Sequence, residues 1–466
     1  MSAVLPRPLN VALARKRTSR PRSSPWRSLF TSADLALAKA RVCFGSLWAK
    51  QAPPLKENEA LAQRVSPLRR RRGLMGSVLF MGVFCFTWLA LATMSVSVSA
   101  EPNKFVKRQG TGFILGGVPF NIAGINNHYL TFGSEQEVVR VLDDAAAMNA
   151  NVVRTFIQPV IGSPDDTSVP TIWDRKSASD SSNLGTNGAY MVYWDRERHK
   201  VAFNEGLAGF SRLDFLIAES QKRNLKLIIA FVDFWGYTGG AQQMRAWYGS
   251  HDKNTFFFSD PRALRDYRDL VKYVLNRKNT LTGAIYKDDP TIFAWDLMNE
   301  PNIQPDSLSL SWIEDMAAYV KSIDQNHLVS SGCGPERMAD ISLPSIDFGV
   351  WHGYPLYFNL SNDQFNDMIS EFCEIGRKAS KPVLLEEFGL ARSQANQSLV
   401  YRKWLTTIRK NNNCSGWVVW RLVSLQDSGH YPEDTHDQFD IHNDRGSTWA
   451  VLQEEAALMR SRSSPP

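Results

Sequence analysis

From about residue 104 onward, short runs of apolar and β-branched residues alternate with stretches whose apolar positions recur every three to four residues. The short runs have the length and composition of strands, and the longer stretches have the spacing of amphipathic helices. The runs that predict strands are Ile122–Asn127, Asn151–Phe156, Lys226–Val232, Ile292–Met298, His327–Gly332, Asp347–Tyr354, Pro382–Gly389 and Gly416–Leu422. Strands that alternate with helices are typical of βαβ units and of a parallel sheet.

The stretches between these runs predict helices. They are Ser134–Asn149, Phe210–Arg223, Pro261–Asn276, Ser311–Ile323, Pro335–Ile341, Phe365–Ala379 and Ser398–Lys410, of which Pro335–Ile341 has the weakest pattern. Ser134 is followed three residues later by Glu137, which is the capping-box signature of a helix start. Eight alternating strands indicate an α/β fold of the (β/α)₈ TIM barrel type, because an open doubly wound sheet rarely needs so many. We predict that this barrel domain occupies residues 104–456.

The first 72 residues lack this periodicity. They hold 16 Lys and Arg against 3 Asp and Glu, whereas the rest of the chain holds 37 basic and 44 acidic residues. The net charge of +6 therefore comes from the N-terminal tail, and the body is acidic on balance. This composition predicts a disordered basic tail over residues 1–72. It does not indicate nucleic-acid binding, since the positive charge lies outside the predicted barrel.

An apolar segment follows over residues 73–93, directly after four arginines at 69–72. Its length suits a membrane-spanning helix, and the positive flank predicts that the N-terminus stays in the cytoplasm. We interpret it either as a transmembrane signal anchor or as the apolar region of a signal peptide that is cleaved after Ala100. A buried core helix is the alternative, but the arginine run argues against it. Either leading interpretation sends the body into the secretory pathway, as a secreted or a membrane-anchored protein.

Three of the five cysteines, Cys333, Cys373 and Cys414, lie within the predicted barrel. Their spacing fits no zinc-binding pattern. One disulfide is compatible with them, but the spacing does not indicate which pair forms it. Asn-X-Ser sequons, which are compatible with the secretory route, begin at Asn359, Asn396 and Asn413.

Two carboxylates stand at the carboxyl ends of predicted strands, which is where a (β/α)₈ barrel carries its active site. Glu300 follows the fourth strand, and Glu387 lies at the end of the seventh. Neither has a basic neighbour in the sequence, and a buried unpaired carboxylate is costly unless chemistry requires it. Glycoside hydrolysis uses such a pair, with one carboxyl group as proton donor and the other as nucleophile or as the base that activates water.

The segments around both glutamates resemble glycoside hydrolase family 5, and especially its endo-β-1,4-mannanases. The resemblance rests on Asp-Pro-Thr-Ile-Phe-Ala-Trp-Asp-Leu-Met-Asn-Glu-Pro at 289–301, Arg-Lys-Asn-Thr-Leu-Thr-Gly at 277–283 and Glu-Phe-Gly at 387–389. It extends over roughly residues 110–455. The resemblance implies that Glu300 is the acid/base, that Glu387 is the nucleophile and that the reaction retains the anomeric configuration.

The same resemblance implies supporting roles, residue by residue. Arg154 is similar to the arginine that hydrogen-bonds the nucleophile region and supplies positive charge there. Asn299 is similar to the asparagine that binds the 2-hydroxyl beside the scissile bond. His352 and Tyr354, in Trp-His-Gly-Tyr-Pro at 351–355, are similar to the pair that orients the two carboxylates. Trp420, at the end of the last strand, is similar to the platform beneath the −1 sugar.

Some positions near the implied site call for separate expectations. Glu386, next to Glu387, is expected to face the wall or the helices, because successive strand residues point to opposite sides. Val-Asp-Phe-Trp at 232–235 stands where mannanases often have Val-Asn-Asn-Trp, and Arg421 stands where family members often have Gln. We expect these positions, including Trp235, to line distal subsites together with the long loop 158–203.

The sequence thus predicts a retaining endo-hydrolase of mannan, galactomannan or glucomannan that works through a covalent glycosyl-enzyme. We expect a polysaccharide substrate and a monomer, with no nucleic acid, cofactor or metal ion bound. Two alternatives stay open. One is another family 5 β-glycanase, such as a cellulase or β-glucanase, or a transglycosylase. The other is a noncatalytic wall-binding protein anchored in the membrane through residues 73–93.

Overall fold

The computed structural model describes residues 104–176, 186–334, 336–432, 434 and 437–462. The predicted basic tail (1–72) and apolar segment (73–93) lie outside these ranges. Within the described ranges, no helix combines the length and the apolar character needed to cross a bilayer. The described body has its first strand at Lys107 and ends its last helix at Arg460.

Eight parallel strands form the centre of this body, and each overlaps one of the strands predicted from the sequence. They are β1 (Ile122–Asn126), β2 (Val152–Phe156), β3 (Lys226–Ala230), β4 (Ile292–Asp296), β5 (Leu328–Ser330), β6 (Gly349–Gly353), β7 (Val383–Phe388) and β8 (Gly416–Val419). These strands are almost entirely buried, because their inner face fills the barrel and their outer face packs under helices. The predicted (β/α)₈ fold is confirmed.

The strands pair in sequence order from β1 to β5 and from β6 to β8, and β8 returns to pair with β1. Between β5 and β6 the described residues form no regular ladder. Asp347, just before β6, bridges this seam: its N–H donates to the Val329 carbonyl at 2.9 Å, and its carboxylate accepts the Val329 N–H at 2.8 Å. One residue thus takes the place of the missing strand pairing.

A small antiparallel sheet packs at the N-terminal end of the barrel. Its strands are Lys107–Gln109, Gly112–Leu115 and Val118–Pro119. Phe113 joins an apolar cluster with residues at the starts of the barrel strands, and its ring makes edge contacts with Phe293 and Phe348 at 5.2 and 5.4 Å. This end of the barrel is therefore filled, and the site has to be sought at the carboxyl ends of the strands.

Helices surround the barrel and extend the loops at its carboxyl end. In the described residues they are α1 (Glu135–Ala147), α2 (Ser211–Lys222), α3 (Gly240–Ala246), α4 (Phe256–Ser259), α5 (Pro261–Asn276), α6 (Asp306–Ile323), α7 (Pro355–Phe358), α8 (Asn362–Ala379), α9 (Gln397–Lys410) and α10 (Ser447–Arg460). Two 3₁₀ helices, Tyr286–Asp288 and Glu336–Ser342, complete the set. The helix α10 follows β8 and completes the last βα unit, and the sequence pattern did not predict it.

The helix starts follow the capping chemistry more closely than the apolar pattern. Ser134 and Glu137 form the predicted capping box at α1. The helix predicted from Phe365 begins three residues earlier, because Ser361 and Gln364 form a second capping box. The helix predicted from Ser311 begins at Asp306, after Pro305 at its N-cap. The polar first turn of α8 carries no apolar repeat, so the apolar pattern placed the start of that helix too late, and it also placed the start of α6 too late.

The loop between β2 and α2 has structure of its own. It carries an antiparallel hairpin of Val192–Asp195 and Lys200–Phe203, and Val192 bridges to Val160 near the end of β2. Trp194 of the hairpin packs against Trp247 with ring centroids 5.7 Å apart. The loop is thereby fastened to the carboxyl end of the barrel.

A disulfide joins Cys373 of α8 to Cys414, two residues before β8. Of the pairings that the sequence left open, the structure has this one. Cys333 is buried just after β5. Since Cys414 precedes a strand, the bridge lies at the N-terminal end of β8, away from the carboxyl ends of the strands.

Candidate active site

The two predicted glutamates meet at the carboxyl end of the barrel. Glu300 lies four residues beyond β4, and Glu387 is the residue before the last in β7. Both are buried. One oxygen of each carboxyl group and one ring nitrogen of His352 lie within 4.8 Å of one another. The fold therefore brings together side chains that come from three different strand ends.

Glu300 is held in a fixed orientation by its backbone and by two side chains. Its φ of 48° is left-handed, a conformation that costs a non-glycine residue about 1–3 kcal/mol and that clusters at functional sites. Its N–H donates to the carbonyl of Gly332 at 2.8 Å. Trp235 Nε1 donates to Oε2 at 2.6 Å, and His352 Nδ1 lies 2.9 Å from Oε1. Trp235 thus contacts the predicted acid/base directly, not a distal subsite as expected.

Gly332 is required where it supports Glu300. Its φ is 79°, and a Cβ at this position would lie 1.9 Å from the carbonyl oxygen of Met298. No side chain can replace the hydrogen without moving one of the two backbones. The loop after β5 can therefore approach the loop after β4 closely enough to fix the backbone of Glu300.

Glu387 is bound by a cation and a hydroxyl. Arg154 Nη1 donates to Oε1 at 2.7 Å, and the hydroxyl of Tyr354 donates to Oε2 at 2.6 Å. Both donors stabilise negative charge on the carboxylate. The burial of Tyr354 and the neighbouring carboxylates Glu387 and Glu300 raise the pKa of its phenol far above the ordinary value, so the hydroxyl remains a donor.

Arg154 connects most of the site. Its Nε donates to Asp296 at 2.7 Å, and its Nη atoms reach Asn126 at 3.2 Å and Asn299 at 3.0 Å, in addition to Glu387. Burial alone would lower the pKa of this guanidinium, but the carboxylates around it raise the pKa instead. Arg154 stays charged and uses several of its fixed donors at once, which a lysine could not do.

His352 is the second cation of the site. Burial would lower its pKa, but the charge of Glu387 and hydrogen bonds to Glu300 and Glu386 raise the pKa to about 10. The ring is therefore protonated at neutral pH. Glu300, His352 and Glu387 have the spacing of a possible metal site, but a histidine must be neutral to bind a metal ion.

Glu386 also faces the barrel interior, so the expectation that it lies on the opposite face is wrong. Its Oε2 lies 3.3 Å from His352 Nε2 and 3.4 Å from Arg154 Nε. The cause is a bulge between β6 and β7, where the pairing passes from Trp351↔Leu385 to His352↔Glu387 and leaves Glu386 as the extra residue. Burial raises the pKa of Glu386.

Two further carboxylates lie at this site. Asp296 was not singled out from the sequence, and Asp233 was expected in a distal subsite. Asp296, the last residue of β4, pairs with Arg154, and Asp233 lies three residues beyond β3. Asp233 Oδ1 accepts the side-chain N–H of Asn299 at 2.8 Å. Burial raises the pKa of Asp233 to about 7, and the charges of Glu300 and Glu387 add to this effect. Both residues stand at strand ends, so the rule that selected the glutamates could have found them.

Trp420 and Arg421 follow β8 and have different environments. Trp420 is partly exposed, and the rings of Phe156 and His128 lie 6.2 and 6.4 Å from its own. Arg421 is buried, with Nε donating to Asp440 at 2.8 Å and Nη1 lying 3.0 Å from His128 Nδ1. Arg421 therefore fastens the last loop to the barrel, and only Trp420 is available to a ligand.

A buried pair of carboxyl groups at the carboxyl end of a (β/α)₈ barrel, with donors fixed on both, is the arrangement that a glycoside hydrolase requires. A sequence profile described as GH family 5 beta-mannosidase-like matches residues 103–347, more than half of the chain. The chain belongs to glycoside hydrolase family 5.

Relatives and solved structures agree with this assignment. Mannan endo-1,4-β-mannosidase 1 of Oryza sativa subsp. japonica is 30% identical over 372 residues, which span 68% of this chain and 78% of that protein. Mannan endo-1,4-β-mannosidase 3 of Arabidopsis thaliana is 28% identical over 377 residues, or 70% and 83% of the two chains. The crystal structure of the endo-1,4-β-mannanase from Rhizomucor miehei is 26% identical, with a TM-score of 0.65 and coverage of 76% and 99%. The resemblance to endo-mannanases is confirmed.

Proposed function

We propose that the protein hydrolyses internal glycosidic bonds of β-1,4-mannan-type polysaccharides and retains the anomeric configuration. The observation that carries the proposal is the approach of Glu300 and Glu387, whose nearest described oxygens lie within 4.8 Å. Retaining enzymes hold their carboxyl groups about 5–5.5 Å apart, whereas inverting enzymes leave about 6.5–9.5 Å for a water molecule. The spacing in this site supports direct attack by one carboxylate.

In the first step, an oxygen of Glu387 attacks the anomeric carbon while Glu300 gives its proton to the departing glycosidic oxygen. The sugar–oxygen bond breaks, and a glycosyl ester with Glu387 forms. Arg154 and Tyr354 hold Glu387 in place before the attack. Trp235 and His352 keep the carboxyl group of Glu300 from rotating away from the leaving oxygen.

In the second step, Glu300 acts as a base. It takes a proton from water, the water oxygen attacks the anomeric carbon, and the ester bond to Glu387 breaks. Two inversions give net retention, and both glutamates return to their starting protonation states. A sugar acceptor in place of water would give transglycosylation by the same route.

The choice of mannan rests on the relatives named above, which are mannan endo-1,4-β-mannosidases by name. Asn299 is proposed to bind the hydroxyl next to the scissile bond, and Trp420 to supply the platform beneath the −1 sugar. Mannan, galactomannan and glucomannan share the β-1,4-linked backbone that such a site would hold. No cofactor enters the proposed reaction.

One set of assays tests the substrate and the residues together. The purified protein is compared on galactomannan, glucomannan, cellulose and β-1,3-glucan, beside Glu300→Gln and Glu387→Gln variants. We expect short oligosaccharides from the first two polysaccharides and a loss of at least about 10³-fold in either variant. The proposal would be contradicted by a preference for cellulose or β-1,3-glucan, or by mannose as the sole product. Longer chains formed by transfer, or binding without any product, would also contradict it.

The stereochemistry has its own measurement. Proton NMR during the first minutes of hydrolysis should show the β anomer of the new reducing end before mutarotation. An initial α anomer would contradict attack by Glu387, even if mannan is the substrate.

We further propose that the enzyme enters the secretory pathway through residues 73–93 and works outside the cell or in a lumen, as a monomer. The Cys373–Cys414 disulfide supports this, since such bridges are rare in the cytosol. N-terminal sequencing of the mature protein distinguishes a cleaved form starting at Glu101 from an anchored one. Recovery of the uncleaved protein in the cytosol would contradict the proposal.

A further inference from the structure

Asp233 stands beside the predicted catalytic pair without being part of it. It forms an isolated parallel bridge with Asn299, which continues the pairing of β3 and β4 beyond the strands themselves. Asn299 N–H donates to the carbonyl of Val232 at 2.9 Å, and Phe234 N–H donates to the carbonyl of Asn299 at 3.0 Å. The backbone therefore fixes Asp233 next to the residue that precedes Glu300.

The side chains extend this contact into a directed chain of hydrogen bonds. Arg154 Nη2 donates to Asn299 Oδ1 at 3.0 Å, and Asn299 Nδ2 donates to Asp233 Oδ1 at 2.8 Å. A guanidinium only donates and a carboxylate only accepts, so the two partners fix which end of the Asn299 amide is which. The second N–H of Nδ2 is left for a substrate hydroxyl.

We propose, on the basis of the proposed glycoside hydrolysis, that Asp233 is a positioning residue with two effects. Its carboxylate fixes the amide of Asn299 so that Nδ2 faces the substrate, and its negative charge helps Glu300 to keep its proton. An asparagine at position 233 could still accept the hydrogen bond, but it would supply no charge. The two effects can therefore be separated.

The charge effect depends on pH. The charged groups that face Asp233 are Glu300 and Glu387, with Arg154 behind Asn299. Burial and these two glutamates raise the pKa of Asp233 to about 7, so the carboxyl group is neutral in acid and ionised above neutrality. A negative charge near an acid makes its proton harder to remove. Asp233 thus extends the protonated state of Glu300, and with it turnover, towards higher pH.

The test is the pH profile of kcat/KM on galactomannan for the full chain with Asp233→Asn and Asp233→Ala. Below about pH 6, Asp233→Asn should match the unaltered protein, because position 233 is neutral in both. Above about pH 7 its activity should fall earlier, with the alkaline limb displaced to lower pH. Asp233→Ala should lose roughly 10- to 100-fold at every pH, since it leaves the Nδ2 donor of Asn299 without its buried acceptor.

Asp363→Asn is the matched control, because its side chain is exposed on α8 and pairs only with Lys403 among the described groups. Its profile should be unchanged. A purely structural role for Asp233 would lower stability in both variants without moving the alkaline limb, and that result would overturn the inference. If Asp233→Ala fails to fold, the profile of Asp233→Asn alone decides: coincidence with the unaltered protein at all pH values overturns the inference.

Failure of the inference about Asp233 can be distinguished from failure of the proposed function. Loss of activity in Glu300→Gln and Glu387→Gln with no effect of the Asp233 variants would overturn this inference and leave the hydrolysis in place. An unaltered protein that cleaves none of the polysaccharides would overturn the proposed function and this inference with it.

Discussion

At the scale of single residues, the site holds more carboxyl groups than cations. Two buried cations, Arg154 and His352, share one hydrogen-bonded cluster with several carboxyl groups. Those carboxyl groups are Asp233, Asp296, Glu300, Glu386 and Glu387. Two positive charges cannot neutralise five negative ones at a buried site, and this excess of negative charge favours protonation of some of the carboxyl groups. A site with this imbalance keeps a proton available for the leaving oxygen.

The neighbouring glutamates of β7 should respond very differently to loss of charge. Glu386 contacts His352 and Arg154 through one oxygen, and in the described part of the chain its Oε1 has no hydrogen-bond partner. We expect Glu386→Gln to lose at most about tenfold in kcat, because it does not touch the reacting atoms, whereas Glu387→Gln loses at least about 10³-fold. Steady-state kinetics of both variants checks this. An inactive Glu386→Gln beside an active Glu387→Gln would reverse the assignment.

His352 should make stability depend on pH in a defined direction. A histidine whose pKa rises from about 6.5 in the unfolded chain to about 10 in the folded one stabilises the protein fully below pH 6.5. That contribution is lost as the pH rises towards 10. We expect the free energy of unfolding of the unaltered protein to fall more steeply between pH 6.5 and 10 than that of His352→Gln. Parallel denaturant curves for the two proteins would refute the link.

At the scale of elements, the sequence predicted where the strands end, but it did not predict the bulge between β6 and β7. The short runs of apolar and β-branched residues identified all eight strands, and the strand-end rule then selected Glu300 and Glu387. Asp233 and Asp296 also satisfy this rule, but only the motif resemblance separated working carboxylates from structural ones, and it gave neither residue a role beside the catalytic pair. The inward position of Glu386 depends on a bulge between two strands that are distant in sequence, and a local pattern carries no information about pairing across strands.

The disulfide between α8 and the start of β8 should contribute stability without affecting catalysis. It closes a loop across a sequence separation of 41 residues, which corresponds to about 4 kcal/mol in the chain-entropy model, and measured values commonly fall lower. A Cys373→Ser/Cys414→Ser double variant should unfold at lower denaturant concentration with unchanged kcat. As control, a reductant should destabilise the unaltered protein but not the double variant; equal sensitivity of both would show that the bridge contributes nothing.

At the scale of the whole molecule, we expect the segment of residues 104–462, which contains the predicted barrel domain of 104–456 and the contacts of Arg462, to fold and work by itself. Its C-terminal residue matters, because the Arg462 guanidinium donates to the carbonyl of Cys414 at 2.8 Å and to the side chain of Asn121 at 2.7 Å. A protein of residues 104–462 should hydrolyse substrate at the full-chain rate. Removing Arg462 as well should cost roughly 1–3 kcal/mol of unfolding free energy, since buried acceptors lose their donor. Calorimetry and kinetics of the two truncations test both statements, and an inactive 104–462 protein would contradict the boundary.

The seam at Asp347 gives the barrel a preferred place to open. In the described residues, seven neighbouring strand pairs are joined by ladders, whereas β5 and β6 are joined by the hydrogen bonds of Asp347, whose carboxylate serves as a backbone acceptor. Local openings in proteins follow such weakly connected lines. Amide hydrogen exchange should therefore be faster along β5 and β6 than in β1, and Asp347→Ala should accelerate it at Val329 first. A barrel with this one weakly connected edge can open and close between β5 and β6 while the ladders that join the other strands stay intact.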